Sequence, residues 1–155
     1  MISNRIILLA SLLFLFSHST FCAVSDFETS IDIQTSEQGD RTYFTVNLIY
    51  QGSIVGQVEF SYDKISKKGY IARLHVEPTY RKKSFGSILL QFALDTLTQC
   101  KNDEIRWVAS PFNLPAEQTS SEMLPKLIAF YQRHGAQMLN STQWSAEMRY
   151  YPKLA

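Results

Sequence analysis

The stretch Leu74-His75-Val76-Glu77-Pro78-Thr79-Tyr80-Arg81-Lys82-Lys83-Ser84-Phe85-Gly86-Ser87-Ile88-Leu89-Leu90 changes its period halfway along. Up to Val76 it completes an alternation in which Tyr70, Ala72, Leu74 and Val76 share one parity and Ile71, Arg73 and His75 the other, the pattern of a strand. Pro78 stops the strand, because proline has no N–H for the ladder. From Phe85 the spacing is helical: Phe85, Leu89, Phe92, Ala93, Thr96, Leu97 and Cys100 recur every three or four residues, which predicts an amphipathic helix closed by Lys101 and Asn102. The turn between them carries Arg81, Lys82 and Lys83. A helix N-terminus exposes N–H groups without internal partners and bears partial positive charge, so this junction suits a phosphate. Gly86 lets a ligand approach the backbone, and Ser84 and Ser87 add hydroxyls.

Ile105 to Ala109 is a short apolar strand that should pair parallel to Tyr70–Val76 through a right-handed crossover, giving a βαβ unit. Upstream, Phe27 to Thr35 predicts a short edge strand ending in the turn-rich Ser36–Asp40. Tyr43–Tyr50 and Ile54–Tyr62 then form a hairpin about Gln51-Gly52-Ser53, with Ile54, Val58, Phe60 and Tyr62 on one parity. Asp63 to Gly69 reads as a solvated loop. Downstream, Ser110 to Gln118 is a proline-bearing loop, and Leu124, Leu127, Ile128 and Tyr131 mark a second helix with Pro125 in its first turn and Gly135 at its end. Gln137–Leu139 and Trp144–Tyr151 close the sheet. The fold class is α/β, with a mixed, mostly antiparallel central sheet around the βαβ unit.

At 155 residues, with 45% apolar and 19% charged residues, the chain has material for one folded domain. A net charge of +1 gives no basic field for duplex DNA or an anionic membrane, so anion recognition must be local. Arg5, the apolar run Ile6–Phe16 and the small and polar residues up to Ser25 resemble a secretory signal peptide, too short for a comfortable membrane span. We therefore divide the chain into a leader or N-terminal hydrophobic anchor, 1–25, and a domain, 26–155. The first predicts export; the second predicts membrane or cytoplasmic retention. Cys100 is then the single cysteine of the domain, without a disulfide partner, and reads as a buried thiol. His18, His75 and His134 are too scattered to suggest a metal site.

The segment Leu74–Leu90 resembles the acetyl-CoA-binding segment of the GNAT superfamily of N-acetyltransferases, in which a strand ending in apolar-x-Val-x-Pro precedes Arg/Gln-x-x-Gly-x-Gly/Ala. Arg81 and Gly86 match; Ser84 stands where the first glycine is expected. Leu127 to Ala136 resembles that family's helix ending in Phe-Tyr-x-x-x-Gly, with Tyr131 and Gly135 correctly spaced. The likeness covers roughly Val55 to Tyr151. It implies that acetyl-CoA is the cosubstrate, that the backbone of Leu74, His75 and Val76 pairs with the pantetheine arm, and that Lys82, Lys83, Ser84, Phe85, Gly86 and Ser87 hold the pyrophosphate, with Arg81 beside them. Leu124 stands where the family often has an asparagine, and Asn113 is the candidate replacement. Tyr131 would be the general acid for the departing thiolate, and His75 and Glu59 the candidate bases for an amine-bearing small molecule or protein. Ser36–Asp40 leaves no room for the helices that usually separate the family's first two strands.

Two other readings compete. A non-catalytic module of the same fold would bind acyl-CoA or a protein partner without turnover. A single-strand nucleic-acid binder would use aromatic strands with Arg81–Lys83 and show salt-sensitive affinity.

Overall fold

The computed structural model describes residues 29–81, 83–111 and 119–152. The chain runs β1 (Thr29–Gln38), β2 (Arg41–Tyr50), β3 (Ser53–Asp63), β4 (Lys68–Val76), α1 (Phe85–Gln99), β5 (Glu104–Ala109), α2 (Ser120–Arg133), β6 (Gln137–Ser141) and β7 (Ala146–Tyr150). The strands form one sheet in the order β1-β2-β3-β4-β5-β7-β6. Among the described residues only β4 and β5 pair in parallel, through α1, as the sequence predicts. The expected mixed, mostly antiparallel α/β architecture is the one observed.

Local chemistry sets the ends of the elements. Gln51 and Gly52 both take positive φ, 51° and 77°, the two-residue hairpin turn that twists with its strands. The β1–β2 turn is also only two residues, with Gly39 at φ 58°. β1 therefore extends past the predicted Thr35: Ser36, Glu37 and Gln38 continue the ladder opposite Tyr43, Thr42 and Arg41. No helix separates these two strands. The predicted 63–69 loop is shorter than expected, because Asp63 Oδ1 accepts the N–H groups of Ile65 and Ser66 (3.1 and 2.9 Å) and Lys68 already belongs to β4.

Two bulges alter the predicted parity. Val58 opposes Leu74 and Phe60 opposes Ile71, so Ala72 is an extra residue in β4. Gly69, Ile71, Leu74 and Val76 consequently share the core face, while Tyr70, Arg73 and His75 share the other, which corrects the strict alternation. A second bulge, opposite Leu48 and Ile49, buries Val55 and leaves Ile54 60% exposed.

Both helices pack on the same face of the sheet. Leu89, Leu90, Leu94 and Leu97 of α1 are buried among Val46, Val58 and Phe60, each contributing roughly 2 kcal/mol by transfer from water. A Cβ on Gly56 would come within 2.8 Å of Leu89 Cδ1, so this close approach of α1 to β3 requires glycine. Lys101 adopts φ 57° after α1, and the Asn102 amide, fully buried, donates to the Leu97 carbonyl. α2 starts earlier than predicted because Glu122 reaches back to the Thr119 N–H (3.4 Å), half of a capping box. Pro125 thus lies inside the helix rather than in its first turn. Gly135, at φ 85°, ends it, with Ala136 N–H on the Tyr131 carbonyl and Gly135 N–H on that of Gln132, a Schellman arrangement. Trp144, expected in the last strand, stands in the β6–β7 turn.

The opposite face of the sheet is polar and carries no helix among the described residues. Gln57 Nε2 donates to Asn47 Oδ1 (2.9 Å), and Asn47 Nδ2 to Asp32 Oδ2 (3.4 Å), a row crossing three strands. Farther along, Glu104 gathers Arg106 (2.9 Å), Lys68 (4.0 Å) and Arg149.

Candidate functional site

β4 and β5 pair only from Lys68 to Ile71 with Glu104 to Trp107, and then separate. Beyond that point Ala72–Val76 form one wall and Val108, Ser110 and Pro111 the other wall of a cleft of about 560 Å³. The first turn of α1 closes one end. Met123, Leu127, Phe130, Tyr131 and Arg133 of α2 line the helix side. Strand edges that part inside a sheet leave backbone N–H and C=O groups facing a void, which suits a ligand with amides of its own.

The phosphate end is built from the β4–α1 junction. A 3₁₀ turn, Pro78–Tyr80, follows the strand, and Arg81 Nε folds back to donate to the Val76 carbonyl (3.2 Å). Ser84 occupies the N-cap position at φ 61°, ψ 5°, and its side chain caps nothing. The first intrahelical bond runs from Ile88 N–H to the Ser84 carbonyl (3.1 Å), so the N–H groups of Phe85, Gly86 and Ser87 precede it without helical partners. A left-handed φ is the conformation that glycine adopts without strain, which gives a physical reason for glycine at this position and a cost for serine. A Cβ on Gly86 would lie 3.7 Å from both Val76 Cγ2 and Phe130 Cζ, an ordinary contact. Lys83 Nζ lies over the rings of Tyr50 and Tyr80, 5.2 and 5.6 Å from their centroids.

At the cleft's inner end Tyr131 is 6% exposed and meets the Trp107 and Phe130 rings edge-on, at 5.2 and 5.1 Å. Burial pushes its phenol up to about 12. His75 lines the cleft, and its Nε2 lies 3.2 Å from Glu77 Oε1. Glu59 does not line it: it sits one row back on the polar face, opposite Arg73. His134 Nε2 is 3.1 Å from Ser87 Oγ, and burial followed by the nearby Arg133 charge lowers its pKa. Half-burial pushes the Cys100 thiol up, away from nucleophilic character. Lys82 and Asn113, two of the predicted binding residues, and the 1–25 leader lie outside the described residues.

The structure thus gathers Leu74, His75, Val76, Arg81, Ser84, Phe85, Gly86, Ser87 and Tyr131 around one cleft. Sequence reasoning missed Tyr80, Val108, Ser110, Phe130 and Arg133. The aromatic and apolar members looked like core residues. Arg133 is an ordinary cation in the last turn of a helix, and no spacing distinguishes it.

The GNAT acetyltransferase family model matches residues 11–136. The chain belongs to that family. No curated protein matches it in sequence. Among solved structures it resembles the PaiA N-acetyltransferase of Thermoplasma acidophilum in complex with coenzyme A, at 18% identity and TM-score 0.54, covering 70% of this chain and 60% of that one. It also resembles the ribosomal-protein-S18-alanine N-acetyltransferase of Escherichia coli, at 15% identity and TM-score 0.58, covering 81% and 96% of the two chains. A third likeness is to Arabidopsis thaliana Naa50 in complex with the bisubstrate analogue CoA-Ac-MVNAL, at 20% identity and TM-score 0.54, covering 68% and 70%. This chain thus spans less than two thirds of the PaiA chain.

Proposed function

We propose that the protein transfers an acetyl group from acetyl-CoA directly to a primary amine within a ternary complex. The observation that carries this reading is the parting of β4 from β5, which opens one continuous cleft from the unpartnered N–H groups of α1 to the buried Tyr131. Phe85, Gly86 and Ser87 bind the pyrophosphate, helped by the helix dipole. Arg81 fixes the strand end through the Val76 carbonyl, and the exposed backbone of Leu74–Val76 pairs with the pantetheine amides.

In the reaction the amine lone pair attacks the thioester carbonyl, the C–S bond breaks, and the electron pair leaves on sulfur. The amine proton passes to His75, directly or through water, with Glu77 orienting the imidazole. Tyr131 stays protonated throughout the neutral range. Full proton transfer from a phenol near 12 to a thiolate of ordinary basicity, about 8.5, runs uphill. Its contribution is therefore a hydrogen bond donated to the developing thiolate.

Calorimetric titration of the chain with acetyl-CoA, followed by turnover against an amine panel, tests the reading. Saturable binding with CoA release supports it. Binding without turnover on any amine supports the non-catalytic module instead, and absence of binding rejects both. We further propose that residues 1–25 direct export, so that the domain acts beyond the producing cell's cytosol; N-terminal sequencing of the mature protein that still begins at residue 1 would reject this.

A further inference from the structure

Along the α2 wall of the cleft the lining changes character: Met123, Leu127 and Phe130 are apolar, and Arg133, at the helix end, is cationic. This end is fixed beside the phosphate site, since His134 bonds Ser87 Oγ and Phe130 packs against Gly86. Arg133 is exposed and has no ion-pair partner among the described residues. The other described cations near the turn are engaged elsewhere: Arg81 with the Val76 carbonyl, and Lys83 with the rings of Tyr50 and Tyr80.

The three N–H groups of α1 suit the pyrophosphate. Coenzyme A carries one more phosphate, on the ribose 3′-oxygen, which is close to dianionic at neutral pH and well matched to a planar guanidinium. We propose that Arg133 binds this 3′-phosphate and so makes the site select coenzyme A over its 3′-dephospho form. The inference rests on the reading of the cleft as an acyl-CoA site.

Calorimetry of the full chain with CoA and with 3′-dephospho-CoA tests it in the unaltered protein, Arg133→Gln and Arg133→Lys, with thermal melts confirming that each is folded. The unaltered protein should bind CoA about tenfold tighter or more, the scale of a charge-assisted contact. Arg133→Gln should lower CoA affinity to that of the dephospho form while changing the latter less than about twofold, and Arg133→Lys should restore part of the preference. Equal affinities in the unaltered protein, or an Arg133→Gln effect of the same size on both ligands, overturn the proposal. So does a preference that survives Arg133→Gln but disappears in Lys83→Gln. If neither ligand binds the unaltered protein, the acyl-CoA reading itself fails, which is a different result from any of these.

Discussion

His134 Nε2 lies 3.1 Å from Ser87 Oγ, joining the end of α2 to the first turn of α1 across the phosphate end of the cleft. Because burial lowers the histidine pKa, the folded state binds fewer protons than the unfolded state around the ordinary value of 6.5. The stability associated with neutral His134 is thus full above that value and is lost as pH falls through the lowered one. The melting temperature should drop between pH 7.5 and 5.5, and His134→Gln should make that drop smaller. Parallel pH dependence in the two proteins would rule out the linkage.

Ser84 holds a left-handed φ of 61° that costs a non-glycine residue about 1 kcal/mol. Ser84→Gly should therefore raise the melting temperature by about 3 °C, less whatever the freer unfolded chain offsets. Because the α1 N–H groups stay in place, acetyl-CoA affinity should be kept or improved. A lower melting temperature would mean that the serine makes a contact outweighing its backbone strain.

A Cβ at Gly86 meets only ordinary contacts, and a carboxylate in the first turn of a helix is favoured by the dipole. Gly86→Asp should accordingly stay folded, with its melting temperature unchanged or raised, and still lose acetyl-CoA affinity by about a hundredfold or more. Its carboxylate occupies the anion site and repels the pyrophosphate. Calorimetry showing unaltered affinity would place the phosphates elsewhere.

Removing the Tyr131 hydroxyl leaves the ring contacts with Trp107 and Phe130 available. Tyr131→Phe should lower kcat by about ten- to a hundredfold, the range for a hydrogen bond to a charged group, with the Kd for acetyl-CoA within about twofold. An unchanged kcat would leave Tyr131 a core aromatic.

Much of this was legible where local chemistry dictates backbone shape. The switch from alternation to helical spacing across Pro78 marked the βαβ unit. Gly52 and Gly135 marked a turn and a helix end that both take positive φ. The bulges at Ala72 and Val55 were hidden, because an extra residue in a strand leaves no trace in composition; only pairing with the neighbouring strand reveals it. For the same reason the sequence did not show that His75 and not Glu59 lines the cleft, since both stand opposite apolar neighbours. The early start of α2 is written in Thr119-x-x-Glu122, whereas the apolar spacing of the helix begins only at Leu124.

Ala72 acts like an inserted letter in a code read two at a time. Deleting it would leave Ile71-Arg73-Leu74-His75-Val76 in plain alternation, with Leu74 and Val76 still on the core face and Arg73 and His75 still on the polar one. Ile71, Arg73 and Leu74 would still stand opposite Phe60, Glu59 and Val58; only the local bend and added twist of the bulge would go. The length of the strand thus governs the bend of this cleft wall and not which side chains it presents, and a lineage could straighten the wall by losing a single codon while every other side chain kept its face.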